Sequence, residues 1–227
     1  MCVLLLSCDR RAGVDVAARS TRETVAFVRD DDSLDPLETL YCAGIWIGAT
    51  TLITAKHCVA NSDPALYARY VELEHVELVG LEMMFMVKDD RIPKRALSVM
   101  VDEANDIALV ESTSYVHAGF AELAASGTIV LGDQTVIMSH PGGYAWSVGR
   151  GTIAALNRKH HDPIHEDGVN VIQLDAVLAP GASGGGAFDA EGHLIGIITF
   201  INPDVANASF LVGADKIDAL RSSLRIR

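Results

Sequence analysis

The stretch Val171-Ile172-Gln173-Leu174-Asp175-Ala176-Val177-Leu178-Ala179-Pro180-Gly181-Ala182-Ser183-Gly184-Gly185-Gly186-Ala187-Phe188 leads from an apolar run through a glycine-rich loop into a second apolar run. Short segments of β-branched and aromatic residues punctuated by Pro and Gly read as strands joined by tight loops. The same grammar extends outward in both directions. Downstream lie Leu194–Phe200 and Phe210–Gly213. Upstream lie Thr128–Leu131, Thr135–Ser139 and Ser147–Ile153, and before them Val25–Val28, Gly44–Ile47, Thr51–Ala55, Val76–Val79, Met83–Val87, Ala96–Val101 and Ile107–Glu111. Many short strands at regular spacing predict an all-β sandwich or barrel. Two segments read as helical, the turn Ala55–Ala60 and the run Ala214–Leu224. In the second, Ile217, Leu220 and Leu224 fall on one face, and Arg225 and Arg227 follow where the helix dipole favours cations. Residues 1–22 read as a leader. The apolar runs thin out around Tyr115–Ser126, which divides the rest into 23–118 and 119–227.

The 227 residues are 49% hydrophobic and 21% charged, an ordinary globular composition. The formal net charge is −12, which disfavours phosphate backbones and anionic lipid surfaces, so no nucleic-acid partner is expected. No apolar run reaches the roughly 18 residues that a spanning helix needs. The opening Met1–Cys8 lacks the basic start and the length of a secretory signal. Leu5-Leu6-Ser7-Cys8 resembles a bacterial lipoprotein cleavage box; a short apolar tail, or a start lying further upstream, is the other reading.

Acyl transfer by serine requires a hydroxyl nucleophile, a base, a group that orients the base, and donors for the oxyanion. Ser183 is the candidate nucleophile, in a loop whose glycines permit backbone angles that would aim the N–H groups of Gly181 and Ser183 at an oxyanion. A plain Gly/Ser turn is the alternative reading of that loop alone. His57 is the candidate base, at the end of the apolar run Leu52–Ala55. Asp106, in Asn105-Asp106-Ile107-Ala108-Leu109, opens another apolar run, where a carboxylate is costly unless paired. In isolation it would pass for a turn aspartate. Together the three occur in the order His, Asp, Ser, which is the chymotrypsin order and not that of subtilisins or α/β-hydrolases.

Thr54-Ala55-Lys56-His57-Cys58 resembles the Thr-Ala-Ala-His-Cys box of trypsin-like proteases, Asp106-Ile107-Ala108-Leu109 their Asp-Ile-Ala-Leu segment, and Gly181-Ala182-Ser183-Gly184-Gly185 their Gly-Asp-Ser-Gly-Gly. The segment from Gln173 to Thr199, together with Pro141-Gly142-Gly143 and Gly149-Arg150-Gly151-Thr152-Ile153, is similar to the HtrA-type bacterial branch. The resemblance covers about residues 24–224 and implies two packed six-stranded antiparallel β-barrels with a C-terminal helix and the site in the cleft between them. It also implies a Cys42–Cys58 disulfide beside the histidine, hence an extracytoplasmic location (secreted, periplasmic or envelope-associated), with two buried free thiols as the alternative. The substrate pocket would be walled by Val177, Leu178 and Ala179 and by the edge strand Thr199-Phe200-Ile201. With Val177 where a trypsin-like pocket has Asp, apolar specificity is expected. Ala182 stands where zymogens carry the Asp that pairs with a new N-terminus, and no Ile-Val-Gly-Gly start is visible, so that activation route is not expected. Nor is the regulation that HtrA-type enzymes derive from a PDZ extension expected.

The expected function is therefore a serine endopeptidase acting on peptides or proteins through an acyl-enzyme, with no cofactor and no metal. A catalytically inactive protease-fold binding module and a carboxylic-ester hydrolase are the competing readings. Lys159-His160-His161-Asp162 with His165-Glu166 lacks a familiar zinc spacing and reads as surface loop. Asn207-Ala208-Ser209 is a glycosylation sequon only in a eukaryotic secretory host. Met83-Met84-Phe85-Met86 reads as core strand.

Overall fold

A computed structural model describes residues 25–29, 40–59, 76–77, 84–87, 90–112, 120–144, 147–161, 168–202, 205 and 207–224. The expected leader 1–22, Cys8 and His165 lie outside them. Seven strands form the first sheet: β1 (Val25–Arg29), β2 (Leu40–Trp46), β3 (Thr51–Ala55), β4 (Val76–Glu77), β5 (Met84–Val87), β6 (Asp90–Asp102) and β7 (Ile107–Ser112). Their order is β4-β6-β5-β1-β2-β3-β7, and the long β6 also pairs with β7, curling the sheet back on itself. Six more strands close a barrel in the order β10-β13-β12-β11-β8-β9. They are β8 (Gln134–Ser139), β9 (Ser147–His160), β10 (Val169–Asp175), β11 (Gly186–Phe188), β12 (Leu194–Ile201) and β13 (Ala208–Gly213). A helix, α1 (Ala214–Leu224), follows directly. The class is all-β, as the spacing of apolar runs predicts.

Unbroken apolar runs such as Ile107–Val110 and Leu194–Ile198 arise because both faces of these strands are covered. Side chains alternate sides along a strand, and the buried clusters follow that alternation. On β7, Ala108 and Val110 join a cluster confined to the N-terminal sheet, with Cys42, Trp46 and Leu52. Ile107 and Leu109 point the other way, into a cluster that also holds Met138, Phe188, Ile197, Phe210 and Val212 of the barrel. On β13, Leu211 joins Ile137, Ile153 and Ile195 in a third cluster belonging to the barrel. The largest cluster is therefore shared by both halves.

One expected strand is not found. Residues 128–131 form turns, with Val130 and Leu131 54% and 63% exposed. The Asp133 carboxylate accepts the Val130 N–H at 2.9 Å, and Gly132 takes φ +86°, so turn chemistry overrides a four-residue apolar run. Conversely, β9 continues through the polar Asn157-Arg158-Lys159 to His160, carried by its pairing with β10. The expected helical turn at Ala55–Ala60 is a 3-10 turn over Lys56–Cys58.

Candidate active site

β3 and β7 are antiparallel neighbours with Ala55 opposite Ile107. The residues just past the end of β3 therefore face those just before β7, which turns a sequence separation of 49 into contact. Lys56 N–H donates to the Asp106 carbonyl at 2.9 Å and His57 N–H to Asp106 Oδ1 at 3.1 Å. The His57 Nδ1 lies 2.7 Å from Asp106 Oδ2. A carboxylate can only accept, so Nδ1 carries the proton and Nε2 is the nitrogen with the free lone pair. The Asp106 side chain is 3% exposed and the imidazole 42%. The acid is sealed in while the ring remains reachable.

Asp106 itself sits in the left-handed region, at φ 51° and ψ 41°, a conformation that Asp tolerates better than most non-glycine residues. It ends the 3-10 turn Glu103–Asn105. That turn is capped by Asp102, whose carboxylate accepts from Asn105 N at 3.1 Å and from Asn105 Nδ2 at 2.7 Å. Cys58, next to His57, is bonded to Cys42 on β2 across 16 residues of sequence. By loop-closure entropy such a link stabilises the fold by roughly 3 kcal/mol. Both thiols of the only described cluster of metal-ligand side chains, Cys42, His57 and Cys58, are consumed in that bond.

The loop that carries Ser183 is built from main-chain bonds. Ala43 N–H donates to the Ser183 carbonyl at 2.7 Å, and Thr54 Oγ1 donates to the Ala43 carbonyl at 2.7 Å. The serine loop is thus docked on β2 and against β3, the strand that leads into the His57 turn. Gly184 N–H donates to Ile198 O, Ile198 N–H to Gly185 O, Gly185 N–H to Ala182 O, Ala182 N–H to Ala179 O, and Gly142 N–H to Pro180 O, all between 2.7 and 3.0 Å. Gly184 has φ +78°, and a Cβ there would collide with the Ala43 carbonyl oxygen and the Thr54 hydroxyl. Gly181 has φ +94°, and a Cβ there would strike the His140 carbonyl oxygen. Ala182 is fully buried in the barrel cluster, so the loop is held here by packing and main-chain bonds at the position where zymogens use a carboxylate.

Of the expected pocket residues, Val177 is 76% exposed, Leu178, Ala179, Phe200 and Ile201 are half-buried, and Thr199 is buried. Thr199 falls where the β12–β13 register shifts between Ile198 and Phe200. Phe200 stacks on His160 at 4.4 Å, and His160 in turn packs on Phe210 at 5.0 Å. The docking partners Ala43 and Thr54 have no signature in sequence, because the contact between Ala43 and Ser183 spans 140 residues. Two cavities, of about 330 and 500 Å³, share no lining residue with this constellation.

With the sheet, the barrel and the His57–Asp106 pair in place, the model of the trypsin-like peptidase domain matches residues 42–197. The chain belongs to the trypsin-like peptidase domain family. A Buchnera aphidicola protein named "Probable periplasmic serine endoprotease DegP-like" is 37% identical over 150 residues, 66% of this chain and 30% of its own length. An HtrA-like serine protease of Staphylococcus aureus is 29% identical over 137 residues, 56% of this chain and 18% of its own. The chain spans about a third or less of the length of these curated relatives. Among solved structures, the active form of the Rv3671c protease from M. tuberculosis superposes with TM-score 0.71 at 20% identity, covering 93% of this chain and 85% of that one. The HtrA-type protease AlgW with a decapeptide gives 0.72 at 20% identity, covering 93% and 67%. At that identity the likeness concerns the fold of this family member.

Proposed function

We propose that this trypsin-like domain is a serine endopeptidase, with Ser183 as nucleophile, His57 as general base and Asp106 as its orienting partner. The observation that carries the reading is the 2.7 Å bond from the reachable imidazole of His57 to the buried Asp106 carboxylate. That bond leaves Nε2 as the proton acceptor. In the proposed cycle, Ser183 Oγ attacks the substrate carbonyl carbon as its proton passes to Nε2. The same proton then goes to the departing amine, and water releases the acyl group by the same relay. The developing oxyanion would be held by the N–H groups of Gly181 and Ser183. Their neighbours Ala182, Gly184 and Gly185 donate to carbonyls of the protein, which orients the peptide planes between them; among the described residues, no carbonyl takes the other two.

The exposed Val177 and the half-buried Leu178, Phe200 and Ile201 support an apolar preference at the residue before the scissile bond. The backbone of Thr199–Ile201 would pair with an extended peptide. The Cys42–Cys58 bridge and the periplasmic wording attached to one relative support an extracytoplasmic location. We read residues 23–118 and 119–227 as the two lobes of one catalytic unit.

Labelling with a fluorophosphonate probe tests the chemistry. Ser183 should be modified, and Ser183→Ala should abolish both labelling and peptide hydrolysis, a loss of about 10⁶ in kcat. An intact chain that neither labels nor cleaves would instead be a binding module. In a fluorogenic peptide panel, Val, Ala or Leu before the cut should exceed Arg or Lys. The reverse order would refute the pocket assignment.

A further inference from the structure

Two turns meet at the proposed base. One is Lys56–Cys58, after β3; the other is Glu103–Asn105, before Asp106. The His57–Asp106 bonds join them on one side. On the other, Lys56 Nζ reaches Glu103 Oε2 at 2.5 Å. The lysine side chain is only 4% exposed and the glutamate 38%. A long cationic side chain ordinarily keeps its head in water, and an ammonium taken out of water is costly unless a carboxylate meets it. Here the lysine lies one residue before the imidazole, in a three-residue turn that has no need of a charge. Its partner lies three residues before the aspartate.

The arrangement is a second rung parallel to the first, between the same two turns. The Lys56 N–H bond to the Asp106 carbonyl and the His57–Asp106 bonds all converge on one residue, so without a further link the turns could pivot about Asp106 and let the ring leave its carboxylate. Asp106 holds a left-handed conformation at the end of a turn that carries both the Asp102 cap and the Glu103 ion pair.

We propose that Lys56 and Glu103 form a positioning pair that locks the two turns together and so sets the orientation and tautomer of His57 on Asp106. The inference rests on the peptidase reading for its kinetic consequence, though not for its structural one. Neither side chain touches substrate in this scheme; both act through the imidazole.

The test uses the whole chain and the variants Glu103→Gln, Lys56→Met and Lys56→Arg. Three quantities are measured: kcat and KM on a fluorogenic peptide, the melting temperature, and the imidazole ¹⁵N shifts of His57, which report which ring nitrogen carries the proton. The wild-type chain should show the Nδ1-protonated form. Glu103→Gln and Lys56→Met should each lower kcat by roughly 10- to 100-fold, the scale of a misplaced catalytic group, while KM changes little and the His57 signals become a mixture of tautomers. Lys56→Arg, which keeps the charge, should retain the wild-type spectrum and most of kcat. The double variant Lys56→Met/Glu103→Gln should lose no more than either single one, because both remove the same rung. Unchanged kcat and unchanged tautomer in Glu103→Gln, even with a lower melting temperature, would overturn the inference and leave a merely structural ion pair. A wild-type chain that cleaves nothing would count against the peptidase reading alone, since the ¹⁵N spectra of wild type and variants still decide the positioning. Should Lys56→Met fail to fold, the near-isosteric Glu103→Gln and the charge-keeping Lys56→Arg carry the same comparison.

Discussion

The two sides of the candidate site are built in different ways. The His57–Asp106 side is an affair of side chains: an imidazole, a carboxylate and a cap from Asp102, placed by the register of β3 against β7. The Ser183 side is main chain almost throughout, with carbonyls and N–H groups bonded along the loop and glycines where any Cβ would collide. A site assembled from side chains can lose its chemistry while keeping its fold. One assembled from backbone loses both together.

That contrast can be broken by substitution. Among substitutions outside the nucleophile itself, the largest effect is expected for Asp106→Asn, which alters one atom of the side-chain half. Folding should be retained, while kcat falls by about 10⁴ because the amide favours the wrong imidazole tautomer. A similar loss of melting temperature would erase the distinction between the halves. Next comes the Cys42→Ser/Cys58→Ser pair, which should cost about 3 kcal/mol in denaturant unfolding with a smaller change in kcat for the folded fraction. Gly184→Ala should destabilise by roughly 1–3 kcal/mol, and here activity and stability should fall together, since the added methyl group pushes Ser183 off Ala43 and Thr54. Full activity in a stable Gly184→Ala protein would show that the loop can move without penalty. The smallest effect, about 1 kcal/mol, is expected for Asp102→Ala, which removes the cap of the turn before Asp106; a denaturation midpoint compared with wild type measures it.

What sequence could reveal depended on whether a residue's role was local. β3 (Thr51–Ala55) and α1 (Ala214–Leu224) have the bounds expected from apolar runs and their flanking turn residues. Their burial and their punctuation come from the same few positions. The stretch 128–131 misled because a four-residue apolar run is too short to outweigh the Asp133 and Gly132 turn beside it. The far half of β9 was hidden because exposed polar residues keep a strand only when a neighbour such as β10 supplies the hydrogen bonds. At the site, His57, Asp106 and Ser183 could be singled out by residue type and chain order. The bond from Ala43 N–H to Ser183 O could not, because main-chain docking leaves no trace in side-chain identity. Lys56 was visible as a letter between Ala55 and His57, but its burial and its glutamate are products of the tertiary fold.

The buried cluster shared between the sheet and the barrel has a thermodynamic corollary. Ile53, Ile107 and Leu109 share one buried cluster with Met138, Phe188 and Phe210, so part of each half's interior is completed by the other. Heating should therefore give one calorimetric peak and not two.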